Sequence, residues 1–158
     1  MTIRVFVHGL EGSSQGTKSR FFRERYPDMI IEDYTGSLDQ RMDTLRRVLA
    51  GKEDLVLVGS SFGGLMAAMY ACDNEGLVKR LILLAPALNL EEFRSYLKRR
   101  IALPVTLYHG RQDGVVPPGP VRAIAQQVFT ALEYHAVDDD HPLGETFPSF
   151  DWDRLLAD

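Results

Sequence analysis

The clearest chemical signal in the sequence is a serine in a glycine-flanked turn at residues 59–63, which read GSSFG. These residues fit the pattern G-x-S-x-G, in which Ser61 takes the nucleophile's place and Ser60 does not. The strand-like run 54–58 precedes the turn, and the strongly helix-forming run 64–71 follows it. A strand that turns at once into a helix holds the serine in a tight backbone at the start of that helix. Ser61 is therefore the predicted nucleophile.

A nucleophilic serine needs a base, and the base needs an orienting carboxylate. Three of the four histidines end a predicted strand or lie within one, and His141 alone follows the last strand, in the polar loop DDDHPLG. Asp113 lies in the glycine- and proline-rich turn after another strand. Each of these two residues taken alone is typical of an ordinary polar turn. The order Ser61, Asp113, His141, each after a predicted strand, predicts a catalytic triad.

Short apolar runs alternate with longer segments of helical period along the whole chain, and these elements must position the three side chains. Most of the runs are apolar on consecutive residues, which suits strands covered on both faces. The pattern predicts a single three-layer α/β/α domain over residues 1–158, with a mostly parallel sheet of about six strands. The predicted strands are 3–7, 29–32, 55–58, 81–84, 105–108 and 132–136, and the predicted helices are 17–26, 38–49, 62–72, 90–100, 121–129 and 150–157.

The best-defined helix lies between the second and third strands. Ser37 and Gln40 have the spacing of a capping box at its start, and Gly51 stands where a glycine commonly ends a helix. Leucine and methionine recur at helical spacing, so one face of this helix is predicted to pack on the sheet. The charged residues, Arg41 among them, fall mostly on other faces.

Composition and charge exclude several classes of protein. The chain has 158 residues, of which 45% are hydrophobic and 25% charged, as in ordinary globular proteins. The net charge of −4 argues against broad nucleic-acid binding, and no apolar stretch reaches the ~20 residues of a membrane span. Cys72 is the only cysteine, so no internal disulfide can form. We expect a cytoplasmic protein with no nucleic-acid partner and no membrane span. The sequence carries no signal for an oligomeric state.

Three further patterns have simpler explanations than a binding site. The glycines and Lys18 after the first strand lack the spacing of a phosphate-binding loop. The acids at 138–140 lack calcium-loop spacing and are expected to be a solvated turn. Cys72 is expected to be a buried apolar group rather than a second nucleophile. We therefore predict no metal and no cofactor.

The sequence resembles the α/β-hydrolase family over nearly its whole length, and in particular its small, cap-less bacterial serine esterases. The residues that carry the resemblance are the GSSFG turn, the sequence HGLEG at 8–12, HGRQDGVVP at 109–117 and DHP at 140–142. The resemblance implies an oxyanion hole formed by the backbone N–H groups of Leu10 and Phe62. We expect the two strands that lead the family's full sheet to be missing, and residues 85–104 to form one helix where larger members of the family often insert a lid.

These observations together predict a serine hydrolase with a small-molecule ester as substrate. A carboxylesterase acting on short acyl chains is the main expectation, and a thioesterase on the same triad is the alternative. An alternative of another class is a hydrolase-shaped binding protein without chemistry. Glu11 and the acids before His141 suggest a negatively charged entrance to the site, which favours neutral or cationic small esters over highly anionic ones such as acyl-CoA thioesters.

Overall fold

A parallel six-stranded sheet runs through the centre of the protein, and the computed structural model describes all of residues 1–158. The strands are β1 (Ile3–Val7), β2 (Ile30–Ile31), β3 (Leu55–Ser60), β4 (Val78–Leu84), β5 (Val105–Gly110) and β6 (Leu132–Val137). Their order in the sheet is β2-β1-β3-β4-β5-β6, and every neighbouring pair is parallel. Each crossover therefore returns the chain to the same end of the sheet, and the carboxyl ends of all strands meet at one edge.

Helices cover both faces of this sheet, as the sequence predicts. The helices are α1 (Thr17–Arg25), α2 (Leu38–Leu49), α3 (Phe62–Asp73), α4 (Pro118–Val128) and α5 (Trp152–Leu155), with 3-10 helices at Glu75–Leu77, Glu91–Tyr96 and Phe147–Ser149. Helices α2, α3 and α4 contribute to an apolar cluster of 30 buried residues, and α1 and α5 to a second cluster of 13. Alternate residues of β3 enter the two clusters. The three-layer prediction is confirmed.

Two predicted helices are wrong in type or length. Residues 90–100 form only the 3-10 helix Glu91–Tyr96, in which Phe93 is the one buried side chain. So little burial does not hold a longer α-helix. Residues 150–157 form only α5, because the Asp151 side chain accepts a hydrogen bond from Arg154 N and starts the helix at Trp152. The segment between β4 and β5 contains no cap domain.

Helix α2 begins at the predicted capping box. Ser37 Oγ accepts a hydrogen bond from Gln40 N at 3.2 Å, and Ser37 N donates one to Gln40 Oε1 at 2.8 Å. One member of the charged set departs from the expected pattern, because Arg41 is buried among the apolar residues of this helix. No helix of the protein combines the length and the apolar character that crossing a membrane requires.

Candidate active site

Ser61 lies in the strained turn between β3 and α3. Its backbone has φ 56° and ψ −116°, a left-handed conformation that side-chain-bearing residues rarely adopt. The flanking glycines are sterically required. A Cβ on Gly63 would lie 2.1 Å from Val7 O, and one on Gly59 would lie 2.5 Å from Gly63 O. The turn thus depends on close backbone approach between β1, β3 and α3, which lifts the Ser61 hydroxyl above the sheet edge.

The structure brings together the three side chains of the predicted triad. His141 Nε2 lies 2.9 Å from Ser61 Oγ, and His141 Nδ1 lies 2.8 Å from Asp113 Oδ2. The carboxylate can only accept, so Nδ1 carries the proton and the lone pair of Nε2 faces the serine. Oγ–H then donates to Nε2. This arrangement can remove the proton from a hydroxyl that attacks a carbonyl carbon.

Asp113 is held as a buried, fully hydrogen-bonded carboxylate. Its side chain is inaccessible to solvent, and Oδ1 accepts hydrogen bonds from Val115 N and Val116 N, each at 2.8 Å. Burial on its own would raise the pKa of Asp113. The hydrogen bonds from His141 and from the two N–H groups outweigh burial and lower that pKa below its usual range. Asp113 is therefore ionised at neutral pH, as an acceptor for His141 Nδ1–H must be.

His109 contacts the same carboxylate from the inner side. Its side chain is completely buried at the end of β5, and its Nε2 lies 3.0 Å from Val116 O and 3.1 Å from Asp113 Oδ2. Burial lowers the pKa of His109, and the nearby acceptors only partly oppose this. The side chain is a neutral donor at Nε2, and its Nδ1 is buried without a partner.

Asp139 organises the loop that carries His141, which corrects the expectation of a solvated acidic turn. Asp139 is buried, and its Oδ2 accepts from Thr146 N and Thr146 Oγ1 at 2.9 Å and from Glu145 N at 3.1 Å. Burial would raise the pKa of Asp139, but these hydrogen bonds and one from Asp140 N lower it overall. Lys18 Nζ donates to Pro142 O at 2.6 Å and ties the same loop to α1.

The loop after β1 lies beside the nucleophile, where the resemblance puts the oxyanion hole. A Cβ on Gly9 would be 3.2 Å from Ser61 Cβ and 3.6 Å from Phe62 N. Leu10 N donates no hydrogen bond within the protein, and Phe62 is the first residue of α3, where backbone N–H groups have no acceptor in the helix. His8 braces this loop, because its Nδ1–H donates to Gly9 O at 2.7 Å and its Nε2 accepts from Tyr34 N at 3.0 Å.

Sequence reasoning missed the supporting roles of His109 and Asp139. His109 had a usable signal, since it ends the strand that leads directly into the Asp113 turn. Asp139 had none, because nothing in a run of three acids marks the middle one as buried. Cys72 is buried as predicted, and burial raises the pKa of its thiol to about 12, which argues against a nucleophile. No group of His, Cys, Asp and Glu side chains is arranged to hold a metal ion.

Known proteins share the architecture of this chain. A family model described as the alpha/beta hydrolase fold matches residues 7–97. No curated protein gives a significant sequence match. Among solved structures, alpha/beta hydrolase domain-containing protein 10 from mouse aligns with a TM-score of 0.76 and 19% identity, over 91% of this chain and 83% of that one.

Two bacterial structures are equally similar in fold. Est1E from Butyrivibrio proteoclasticus aligns with a TM-score of 0.76 at 18% identity, over 94% of this chain and 83% of its own. An alpha-beta serine hydrolase homologue from Coxiella burnetii aligns with a TM-score of 0.76 at 20% identity, over 98% of this chain and 83% of its own. Similarity at these identities establishes a shared fold, whereas function depends on the site.

Proposed function

Because the chain belongs to the alpha/beta hydrolase family, we propose that it is a serine hydrolase, specifically a carboxylesterase that forms an acyl-enzyme on Ser61. The observation that carries this proposal is the unbroken line of hydrogen bonds from Ser61 Oγ through His141 to Asp113. Each of the three side chains comes from a different loop at the carboxyl edge of the sheet. An ordinary glycine-serine turn would not require this convergence.

In the proposed mechanism, Ser61 Oγ attacks the ester carbonyl carbon while His141 Nε2 takes the hydroxyl proton. The oxyanion that forms accepts hydrogen bonds from the N–H groups of Leu10 and Phe62. When the tetrahedral intermediate collapses, the carbon–oxygen bond of the ester breaks and the leaving alcohol receives the proton from His141. Asp113 keeps the imidazole in the required tautomer and stabilises its charged form.

Water completes the proposed cycle at the same groups. His141 Nε2 takes a proton from the water as its oxygen attacks the acyl carbon, and the same N–H groups bind the second oxyanion. The acyl–Oγ bond then breaks, Ser61 Oγ recovers a proton from His141, and the carboxylic acid departs. Apart from the substrate and water, the proposed cycle uses only side chains and backbone of this chain, and no step of it calls for a metal or cofactor.

The surroundings of Ser61 favour small substrates. No cap lies over the nucleophile, and Ser61 and Phe62 are both partly exposed. The loops beside the site expose two apolar side chains, Leu10 at 60% and Val115 at 71%. An open site with a limited apolar rim supports short acyl chains over long ones, since little surface is available to bury a long chain.

Labelling with a fluorophosphonate followed by an ester panel tests the proposal. The wild type should be labelled at Ser61, and Ser61→Ala should not. With p-nitrophenyl esters of increasing acyl length, kcat/KM should be highest for short chains, and Ser61→Ala serves as the blank. Absence of labelling together with equal turnover by wild type and Ser61→Ala would reject the proposal and favour a binding protein without chemistry.

A further inference from the structure

Arg41 is a buried cation without an anionic partner. Its residue is only 7% exposed, and its guanidinium makes one hydrogen bond, from Nε to Gly36 O at 2.9 Å. Nη1 is buried and unpartnered. The arginine ion pairs of the protein all involve other residues: Arg4, Arg46, Arg94, Arg111 and Arg154. Four of the five guanidinium N–H groups of Arg41 therefore have no acceptor in the protein.

Such an arrangement is unfavourable unless something else compensates for the charge. Burial of a guanidinium disfavours its charge, and the single hydrogen bond to Gly36 O offsets only part of that effect. The remaining compensation inside the chain is the ring of Phe62, whose centroid lies 5.6 Å from Arg41 Cζ. This distance lies within the ~6 Å range of a cation–aromatic contact, which compensates for part of the burial but supplies no hydrogen-bond acceptor. A structural arginine would be expected to find more partners than this.

The position of Arg41 connects it to the candidate active site. Phe62 directly follows Ser61, and its backbone N–H is one of the two proposed oxyanion donors. The ring of the same residue is what Arg41 faces. Gly36, which holds Arg41 Nε, lies in the loop after β2, at the carboxyl edge of the sheet where Ser61 also emerges. The unpaired cation thus stands next to the residue that adjoins the nucleophile.

We propose that Arg41 binds a carboxylate of the substrate, so that the preferred substrates are esters that carry one carboxylate remote from the scissile bond. The proposal rests on the esterase function proposed above and names the substrate class of that site. With Nε engaged by Gly36 O and Nη1 buried, Nη2 is the guanidinium nitrogen left to donate a charge-assisted hydrogen bond to a carboxylate oxygen of the substrate. A single cation balances one negative charge, whereas the exposed Glu11 and Asp140 near the site disfavour polyanions.

This substrate class extends the expected range from neutral or cationic esters to singly charged anionic ones and keeps the expectation that highly anionic substrates are disfavoured. Asp138 is paired with Arg111 at 2.6 Å. Asp139 is buried, and its carboxylate accepts hydrogen bonds from the N–H groups of its own loop. Of the three acids, only Asp140 therefore remains an exposed carboxylate without an ion-pair partner. The helical pattern of the sequence had also placed Arg41 among the solvent-facing charges of α2.

A matched pair of substrates tests the proposal. The p-nitrophenyl monoester of adipic acid carries a carboxylate, and p-nitrophenyl adipamate replaces it by a neutral amide of the same shape. The wild type should prefer the acid by about 10- to 100-fold in kcat/KM, as one charged hydrogen-bonded pair can provide. Arg41→Met should lose this preference, mainly through KM, with a much larger loss on the acid than on the amide. Arg47→Met, an exposed change of equal charge on the same helix, should keep it.

The outcomes separate this proposal from the esterase proposal. Wild type that hydrolyses the adipamate as well as the acid, or Arg41→Met that retains the preference, overturns the carboxylate site alone. Equal turnover by Ser61→Ala overturns the esterase function. In that case adipate binding by calorimetry decides: binding to Ser61→Ala that disappears with Arg41→Met supports the site, and no binding rejects it. If Arg41→Met does not fold, Arg41→Gln, which can still donate to Gly36 O, takes its place.

Discussion

His109 holds Asp113 from inside the protein, with His109 Nε2 3.1 Å from Asp113 Oδ2, the oxygen that also accepts from His141. Both imidazoles therefore contact the same carboxylate oxygen, His109 from the buried side and His141 from the solvent side. His109 is the neutral partner, since burial lowers its pKa and its Nε2 faces two acceptors. It acts on the proposed reaction only through Asp113, as a positioning residue.

Replacing His109 should impair turnover without affecting binding. His109→Phe removes the Nε2 donor and should lower kcat about tenfold, the lower end of what a hydrogen bond to a charged group contributes, with KM nearly unchanged. His109→Gln can place an amide N–H near the position of Nε2 and should recover part of kcat. Steady-state kinetics over a range of pH measures both. Equal kcat for His109→Phe and wild type would contradict the positioning role, as would a Gln variant no better than Phe.

Two substitutions of Ser61 distinguish the role of its hydroxyl in turnover from the effect of its strained backbone on stability. Ser61→Ala and Ser61→Gly both remove the hydroxyl and should lower kcat at least ~10⁴-fold. Only glycine relieves the left-handed backbone at φ 56°, so Ser61→Gly should exceed Ser61→Ala in free energy of unfolding by about 1 kcal/mol. Urea denaturation compares the two. A less stable glycine variant would show that the turn is not strained.

The choice of acid is tested by comparing two aspartates. Asp113→Asn should lower kcat by on the order of 10⁴, because the amide favours the wrong tautomer of His141. Asp138→Asn removes an exposed carboxylate paired only with Arg111 and should change kcat little. Kinetics on one short ester measures both. Comparable losses in the two variants would mean that Asp113 is not the orienting carboxylate.

The stability of the protein should fall in acid partly through Asp139. Its pKa is lower in the folded protein than in the unfolded chain, so its stabilising effect is present above the unfolded value and is lost as pH falls through the folded value. The free energy of unfolding of Asp139→Asn should therefore be lower than that of wild type at neutral pH, and the difference should shrink below about pH 4. Asp140→Asn removes the same charge from the same loop and serves as control. A difference that stays constant with pH would refute this explanation.

Substitution of two glycines by alanine should affect the stability of the protein very differently. Gly63→Ala would put a Cβ 2.1 Å from Val7 O and 2.4 Å from His8 O, both rigid backbone atoms, and should destabilise by about 3 kcal/mol or more. Gly144→Ala meets nothing within 4 Å and should change stability by no more than about 0.5 kcal/mol. Thermal unfolding measures both. A stable Gly63→Ala protein would contradict the close approach of β1 to α3.

Hydrophobic pattern and turn chemistry were sufficient for the element order, since buried strands and amphipathic helices reflect local periodicity. Residues 3–7 form a strand as predicted, and Ser37 with Gln40 forms the predicted cap. The segment 90–100 has the apolar spacing of an α-helix but forms only a 3-10 helix, because the fold buries only Phe93 there. Periodicity shows which residues share a face. It does not show whether another element covers that face.

The candidate site divides in the same way. Ser61, Asp113 and His141 could be chosen from the sequence because each follows a strand, and the carboxyl ends of parallel strands meet at one edge. Arg41 could not, since a helical wheel gives its direction but not the ring of Phe62 that faces it. Asp139 looks like its two neighbours until the loop folds around it.

Local sequence patterns were enough to predict the order of strands and helices, the turn around Ser61 and the set of groups that could react. These depend on residue size, backbone freedom and periodicity, which act over a few neighbouring positions. The burial of the charges, their pairing and their position relative to the reacting serine follow from the folded protein and not from local patterns. Those properties depend on contacts between segments far apart in the chain, whose geometry is set by packing of the whole protein.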